Sequence, residues 1–284
     1  MGEQELVTSG AYLGGNFLSA ERILRESVPV FVSSFNQPTY LENTVRWLDR
    51  NGFKNVAALD QASTSPRLSE VYSTLEGAGL CRVLRLGRNL GPRATVSLLL
   101  QSGLGCFVFT DPDLHLPDPP ASDFLSRLLS ISRKYRVNKV GLALDISDSA
   151  SFRDIQTKVG NLGDFGIEEW EQRFWEKALE PGVYRADVDT TFFLWNGEIR
   201  NFRSLRRDFF RKRYVSKILG RFNRDYWIDI RIAGPGFCAK HLPWYVDDLL
   251  PDEEREYYRK TSRSHSTWVG RSEVRSYEGP GNGR

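Results

Sequence analysis

Apolar residues come in short runs, each stopped by polar positions, with stretches of helical period between them. Val28 to Phe35 predicts a first strand, stopped by Asn36-Gln37-Pro38. From Thr39 to Arg50, Leu41, Val45 and Leu48 recur on one helical face, and Gly52 lies beyond the end. Asn55 to Asp60 predicts a second strand that ends in an acid. Ser65-Pro66 forms an N-cap and first-turn pair for a helix closing near Gly77. Cys81 to Leu86 is a third strand. Gly91-Pro92 then opens a helix covering Thr95 to Gln101, and Cys106 to Phe109 is a fourth, buried strand. This alternation predicts an α/β fold built on a doubly wound, mostly parallel sheet.

The second half is less regular. The pattern predicts a helix over Pro119 to Tyr135, a strand over Lys139 to Ile146, and a Trp- and Glu-rich helix over Ile167 to Leu179. Gly182 to Trp195 reads as one strand, and Tyr226 to Ile232 as another, with Ile228, Ile230 and Ile232 alternating. Residues 1–27 read as a leader or peripheral helix, 28–260 as one domain, and 261–284, rich in Ser, Arg and Gly, as a loose tail.

Each early strand ends in polar residues that a parallel sheet brings to one edge: Ser33 and Ser34, Asp60, Arg88 and Asn89, then Asp111 and Asp113. Such an edge is where open α/β sheets bind ligands. In Asp111-Pro112-Asp113, residues two apart in an extended segment point to one side, and Pro112 stiffens the approach. Two hard oxygen donors there suit Mg²⁺ or Mn²⁺ together with phosphates and water. The same residues also fit an ordinary Asp-Pro turn.

Composition narrows the partners. The 284 residues carry a net charge of only +3, which gives no global field for nucleic acid. Three dispersed cysteines in apolar surroundings suit a reducing compartment and free thiols, so a cytoplasmic location is expected. No apolar run reaches membrane-spanning length. The dinucleotide fingerprint, the phosphate-binding P-loop and the serine nucleophile elbow are missing, and three histidines make a zinc centre a poor fit.

The order Val28-Pro-Val-Phe-Val-Ser-Ser-Phe-Asn36, Ala58-Leu-Asp60 with Ala62-Ser-Thr64, Arg88-Asn-Leu-Gly-Pro-Arg93 and Phe109-Thr-Asp-Pro-Asp113 resembles family 2-type glycosyltransferases of the GT-A fold. The likeness spans residues 28 to 118. It continues more weakly through Val188-Asp-Thr-Thr-Phe192 and His241-Leu-Pro-Trp-Tyr245, in the manner of small stand-alone bacterial enzymes. The resemblance implies a Rossmann-like nucleotide-sugar half (28–118) fused to an acceptor half (119–260). It implies a nucleotide-diphosphate sugar donor, a UDP-sugar favoured, and a glycan or lipid-linked acceptor.

In that resemblance Ser33 and Phe35 line the base and ribose pocket, and Asp60 bonds to base or ribose. Asn89 and Arg93 at a helix start face the diphosphate or sugar hydroxyls. Asp113 binds the metal, Asp111 assists directly or through ribose and water, and His241 is the expected third ligand, with His115 the rival. An acidic pair opening a helix, the usual seat of the base, is not found. Asp189 is the expected catalytic base, with Asp187 and Asp145 behind it. Trp170, Trp175 and Trp244 are candidates for stacking on an acceptor sugar, or for core packing.

The basic segment Arg200 to Arg224, interleaved with Phe202, Leu205, Phe209, Ile218 and Phe222, fits an amphipathic helix on an anionic membrane, or a solvated helix face. Two competing functions remain: a sugar-nucleotide nucleotidyltransferase, and a non-catalytic nucleotide-sugar or glycan-binding module on the same fold.

Overall fold

A computed structural model of the chain describes residues 19–158, 164–199 and 229–262. The basic segment 200–224 lies outside them, as do most of the expected leader and tail. Residues 19–27 form helix α1. The expected alternation follows as β1 (Val30–Ser34), α2 (Pro38–Arg50), β2 (Val56–Asp60), α3 (Pro66–Gly77), β3 (Arg82–Arg85), α4 (Pro92–Gln101) and β4 (Cys106–Thr110). The chain continues through β5 (Leu114–His115), α5 (Phe124–Tyr135), β6 (Lys139–Leu144), β7 (Gln156–Lys158) and β8 (Asp164–Gly166). Next come α6 (Ile167–Gln172), β9 (Ala178–Glu180), β10 (Val183–Arg185), β11 (Phe193–Asn196), β12 (Ile230–Ile232), β13 (Cys238–His241) and α7 (Asp252–Thr261).

The α/β class read from the sequence is the one observed. Strands run in the order β3-β2-β1-β4-β11-β6-β12-β10-β9. The first four are mutually parallel, and β6 pairs in parallel with β12 and β13. The chain steps outward from β1 to β3, then returns to place β4 on the other side of β1. Loops leaving β1 and β4 therefore diverge, the arrangement that opens a crevice at the carboxyl ends of such strands.

Alternation along the strands builds two cores. Val30 and Val32 of β1 face the larger one, with Leu41, Val45 and Leu48 of α2, Leu68 and Leu75 of α3, and Leu125 and Leu128 of α5. Phe31, Phe107 and Phe109 face the smaller one, against Leu99 and Leu100 of α4. Helices thus cover both faces, which is the double winding that the sequence predicts. At the centre of the larger core, Phe124 is fully buried against Phe192 and Phe237, at ring separations of 5.3 and 5.7 Å. Burying a side chain of this kind stabilises the fold by about 1.5–3 kcal/mol.

α1 is tied into the domain. Glu21 is buried, accepts hydrogen bonds from the amides of Leu125 and Ser126 at 3.0 and 2.8 Å, and so caps α5, while Arg25 donates to Glu21 at 2.6 Å. A carboxylate at a helix N-terminus satisfies amides that the helix itself leaves without acceptors.

Several elements differ from expectation, among them the short strands β5, β7, β8 and β13, which the pattern did not predict. α5 starts at Phe124, not Pro119: Pro120 keeps the residue before it out of helical geometry, and the cap from Glu21 sits on the amides of Leu125 and Ser126. The expected helix to Leu179 ends in a short 3₁₀ turn at Trp175, and Ala178–Glu180 is strand β9 instead. Pro181-Gly182, with Gly182 at φ 71°, turns β9 back onto β10, so local turn chemistry and strand pairing override helix propensity. The single strand expected over Gly182 to Trp195 is two strands with different neighbours: β10 pairs with β12 and β9, β11 with β4 and β6. α7 was not anticipated, although three acids open it and Arg259 and Lys260 close it, as a helix dipole favours.

Candidate active site

The crevice beyond β1 and β4 gathers most of the residues singled out in the sequence. Its floor is Asp111-Pro112-Asp113, held from beneath by the buried Thr44 of α2, whose hydroxyl donates to the Pro112 carbonyl at 2.8 Å. β11 lies antiparallel beside β4, with Phe193 opposite Phe109. That register lays the segment 186–192 across Asp111: the Asp111 amide donates to the Thr190 carbonyl at 3.0 Å, and the Thr190 hydroxyl donates to Asp111 Oδ2. Burial, with the charge of Asp113 beside it, pushes the Asp111 carboxyl well above the usual carboxylate range.

Asp113 meets His241 through a second pairing. β5 is antiparallel to β13, with Leu114 opposite His241, and the Leu242 amide donates to the Asp113 carbonyl at 2.9 Å. His241 Nε2 lies 3.6 Å from Asp113 Oδ2, too long for a good hydrogen bond. Asp113 Oδ1 and His241 Nδ1 are both buried with no hydrogen-bond partner. Burial holds the imidazole below its ordinary pKa, so it is neutral, the form that ligates metals. Among the described residues no three such side chains are already grouped as a cation site, Asp111 being turned toward Thr190. The pair still suits Mg²⁺ or Mn²⁺, which take one or two protein ligands and complete their shell with phosphate oxygens and water.

Asp189 and Arg93, singled out for different tasks, are bound to each other. Arg93 Nε and Nη2 donate to Asp189 Oδ1 and Oδ2 at 3.0 and 2.8 Å, a bidentate fork between exposed side chains. The hydrogen bonds and charge of Arg93 hold the Asp189 carboxyl below the usual range. The backbone around Asp189 is clamped from below. Arg231 Nε donates to the Asp187 carbonyl at 2.8 Å, and Lys139 Nζ donates to the carbonyls of Val188 and, at 2.8 Å, Asp189. Arg231 is itself neutralised by the buried Glu171. Of the other acids considered, Asp187 is exposed, and Asp145 Oδ1 accepts the Ser147 amide at 2.9 Å.

The remaining predicted residues line the neighbouring strand ends, and most are already bonded within the protein. Ser33 is buried and its Oγ accepts from Gln61 Nε2 at 2.7 Å. Asp60 Oδ1 accepts from the Ser63 amide and the Tyr72 hydroxyl, both at 3.0 Å, which is the turn-capping role. Asn89 Oδ1 accepts the Gly91 amide at 2.9 Å and so shapes the entry to α4. Phe35 packs edge-on against Tyr258 of α7, which closes one side of this end of the crevice. Trp244 is buried against His241, and the half-buried Trp170 packs on Phe165 and Phe174. Trp175 is half-buried beside Tyr184. His115 is exposed and lies opposite Lys240, away from any pairing with Asp113.

Sequence reasoning missed Gln61 and Asn36. Gln61 is buried, and besides Ser33 it accepts from the Leu90 amide at 3.1 Å, joining the end of β1 to the loop after β3. Asn36, at φ 50°, accepts the amides of Thr64 and Ser65 at 2.8 and 3.0 Å and donates to Thr261 of α7 at 2.9 Å. An Asn directly after a strand, where a left-handed turn is needed, was the available signal for Asn36. Nothing local marks Gln61.

No family model and no curated protein matches the sequence. Several solved structures are similar to it at low identity. GalNAc-T7 with UDP, GalNAc and Mn²⁺ is 14% identical over 82% of this chain, with a TM-score of 0.45. The chain spans only 47% of that protein's length. Glucosyl-3-phosphoglycerate synthase from Mycobacterium tuberculosis, with Mn²⁺, UDP-glucose and glycerol 3-phosphate, is 16% identical over 75% of this chain and 72% of its own, at 0.39. CMP:2-keto-3-deoxy-manno-octonic acid synthetase with CTP is 14% identical over 63% of this chain and 78% of its own, at 0.34.

Proposed function

We propose that the chain is a metal-dependent glycosyltransferase that moves a sugar from a nucleoside-diphosphate donor, a UDP-sugar first, to a hydroxyl acceptor. The observation that supports this most is the Asp113–His241 pair, with one orphaned polar atom on each side chain, at the crevice beyond β1 and β4. Buried polar atoms without partners are rare in folded proteins and point to something that completes them. Asp113 and His241, with Asp111 assisting, would hold Mn²⁺ or Mg²⁺. Such a cation, when bound, neutralises charge developing on the departing diphosphate.

The chain's own residues do the rest. The strand-end loops of β1 and β2, tied by Gln61 and Asn36, form a fixed seat for the nucleoside. Arg93, at the first turn of α4, would bind the diphosphate. In an inverting displacement the acceptor oxygen bonds to the anomeric carbon as the bond to the diphosphate oxygen breaks, and the hydroxyl proton passes to Asp189. While Arg93 forks onto Asp189, that carboxylate is ionised but a weak base. Donor phosphates that draw Arg93 away would restore its basicity. The same capping favours one alternative, a nucleotide-sugar-binding module without turnover.

The experiment is a panel of UDP-, GDP- and dTDP-sugars, each with and without Mn²⁺, followed by thermal shift and by release of nucleoside diphosphate. Metal-dependent stabilisation with release supports the transferase. Stabilisation without release supports the binding module, and pyrophosphate formation from a nucleoside triphosphate and a sugar phosphate supports a nucleotidyltransferase.

A further inference from the structure

A cavity of about 490 Å³ adjoins the loop that follows β13. Its polar wall is formed by His115 and Lys240, opposite each other on the β5–β13 ladder, together with Asp148 and Tyr245. Lys240 Nζ donates to Asp148 Oδ2, and the Tyr245 hydroxyl donates to Asp148 Oδ1 at 2.8 Å. Val246 and Leu249 supply an apolar rim and are 70% and 53% exposed.

That exposure is imposed by the backbone. Arg153 donates to the Tyr245 carbonyl at 2.7 Å and to Asp248 at 3.0 Å, Arg255 donates to Asp248 and to the Leu250 carbonyl, and the Tyr40 hydroxyl donates to the Asp248 carbonyl. Leu249 sits at φ 61°, a left-handed conformation that a leucine rarely adopts. A loop pinned this firmly, on strained backbone, with large apolar side chains held in solvent, is of the sort found at ligand sites.

Charge decides the class of ligand. Among the described lining residues, Lys240 is matched by Asp148, and Asp247 adds a second carboxylate, so no lysine charge is spare for a phosphate or carboxylate. What remains is a set of donors and acceptors beside apolar faces, which fits a neutral ring bearing several hydroxyls. The volume falls within the usual range of small-ligand pockets, about 300–1,000 Å³.

We infer that this cavity binds a neutral sugar or polyol. Its role, as the seat of the hydroxyl-bearing acceptor, rests on the glycosyltransferase reading above; its binding chemistry does not. The cavity wall and the Asp113 segment are joined through the backbone, since Leu242 donates its amide to the carbonyl of Asp113.

The test is saturation-transfer NMR on the full chain with methyl glucoside and N-acetylglucosamine, against glucose 6-phosphate, with UDP and Mn²⁺ titrated in a separate arm. The neutral sugars should bind and the phosphate should bind more weakly. Asp148→Asn and, at the exposed rim, Val246→Arg should each weaken neutral-sugar binding by about tenfold while UDP binding is unchanged. Preference for the phosphate, sugar binding indifferent to both variants, or no sugar binding at millimolar concentration overturns the inference. If the sugars bind as expected but UDP does not bind the unmodified chain, the cavity stands and the donor reading falls.

Discussion

Arg93 of α4 forks onto both carboxylate oxygens of Asp189, at 3.0 and 2.8 Å, joining the first turn of a helix to the segment between β10 and β11. The cation proposed for the diphosphate thus rests on the acid proposed as the base. If Asp189 is the base, Asp189→Asn should lower turnover by about 10²–10⁴-fold and leave UDP binding no weaker, since it removes no donor contact and frees Arg93. Separate measurement of kcat and UDP affinity checks this, and retained turnover removes Asp189 from the role.

Arg93→Met has a different expected signature. If the arginine serves the diphosphate, UDP affinity should fall by about tenfold, the scale of one charge-assisted hydrogen bond. Calorimetric titration of UDP into the variant gives the result, and unchanged affinity returns Arg93 to being only a counter-ion of Asp189.

The first half of the fold was legible because its signals are local. Period-two and helical patterns, with Pro38, Pro66 and Pro92 at helix starts, placed α2, α3 and α4 close to where they are observed. The position of Asp111 and Asp113 just past the end of β4 was legible for the same reason. His241 depends on the pairing of β5 with β13, which no local pattern encodes; only the resemblance named it. Lys139, Arg231 and Gln61 went unseen because their partners are distant in sequence. β9 was misread because its three residues carry no alternation, and pairing alone makes them a strand.

Gly141 of β6 lies under the segment that carries Asp189. A Cβ there would come 2.6 Å from Val188 Cγ1 and 3.0 Å from the Phe192 carbonyl oxygen. Gly141→Ala should therefore destabilise the fold by about 1–3 kcal/mol, as overpacking does, and should depress turnover more than UDP binding. Urea denaturation measures the first effect, and steady-state kinetics the second.

Glu171 gives a prediction in pH. Burial pushes its carboxyl up from the ordinary 4.5 to about 7, against the pull of Arg231. The folded chain therefore binds this proton more tightly than the unfolded chain between those values. The contribution is full below the unfolded value and is lost as pH rises through about 7. Glu171→Gln, which cannot titrate, should flatten that fall in stability. Denaturant midpoints of both proteins across this interval provide the comparison, and parallel curves would contradict the assignment.

The central claim is that Asp113 and His241 complete a cation site for a nucleotide-sugar. Its most direct measurement is the thermal shift produced by UDP with and without Mn²⁺, in the unmodified chain and in Asp113→Ala. The account predicts a UDP-induced rise that Mn²⁺ enlarges, with the metal-dependent part absent from a variant that still unfolds cooperatively. A Mn²⁺-dependent shift of the same size in Asp113→Ala, or none with any nucleotide in the unmodified chain, would contradict it.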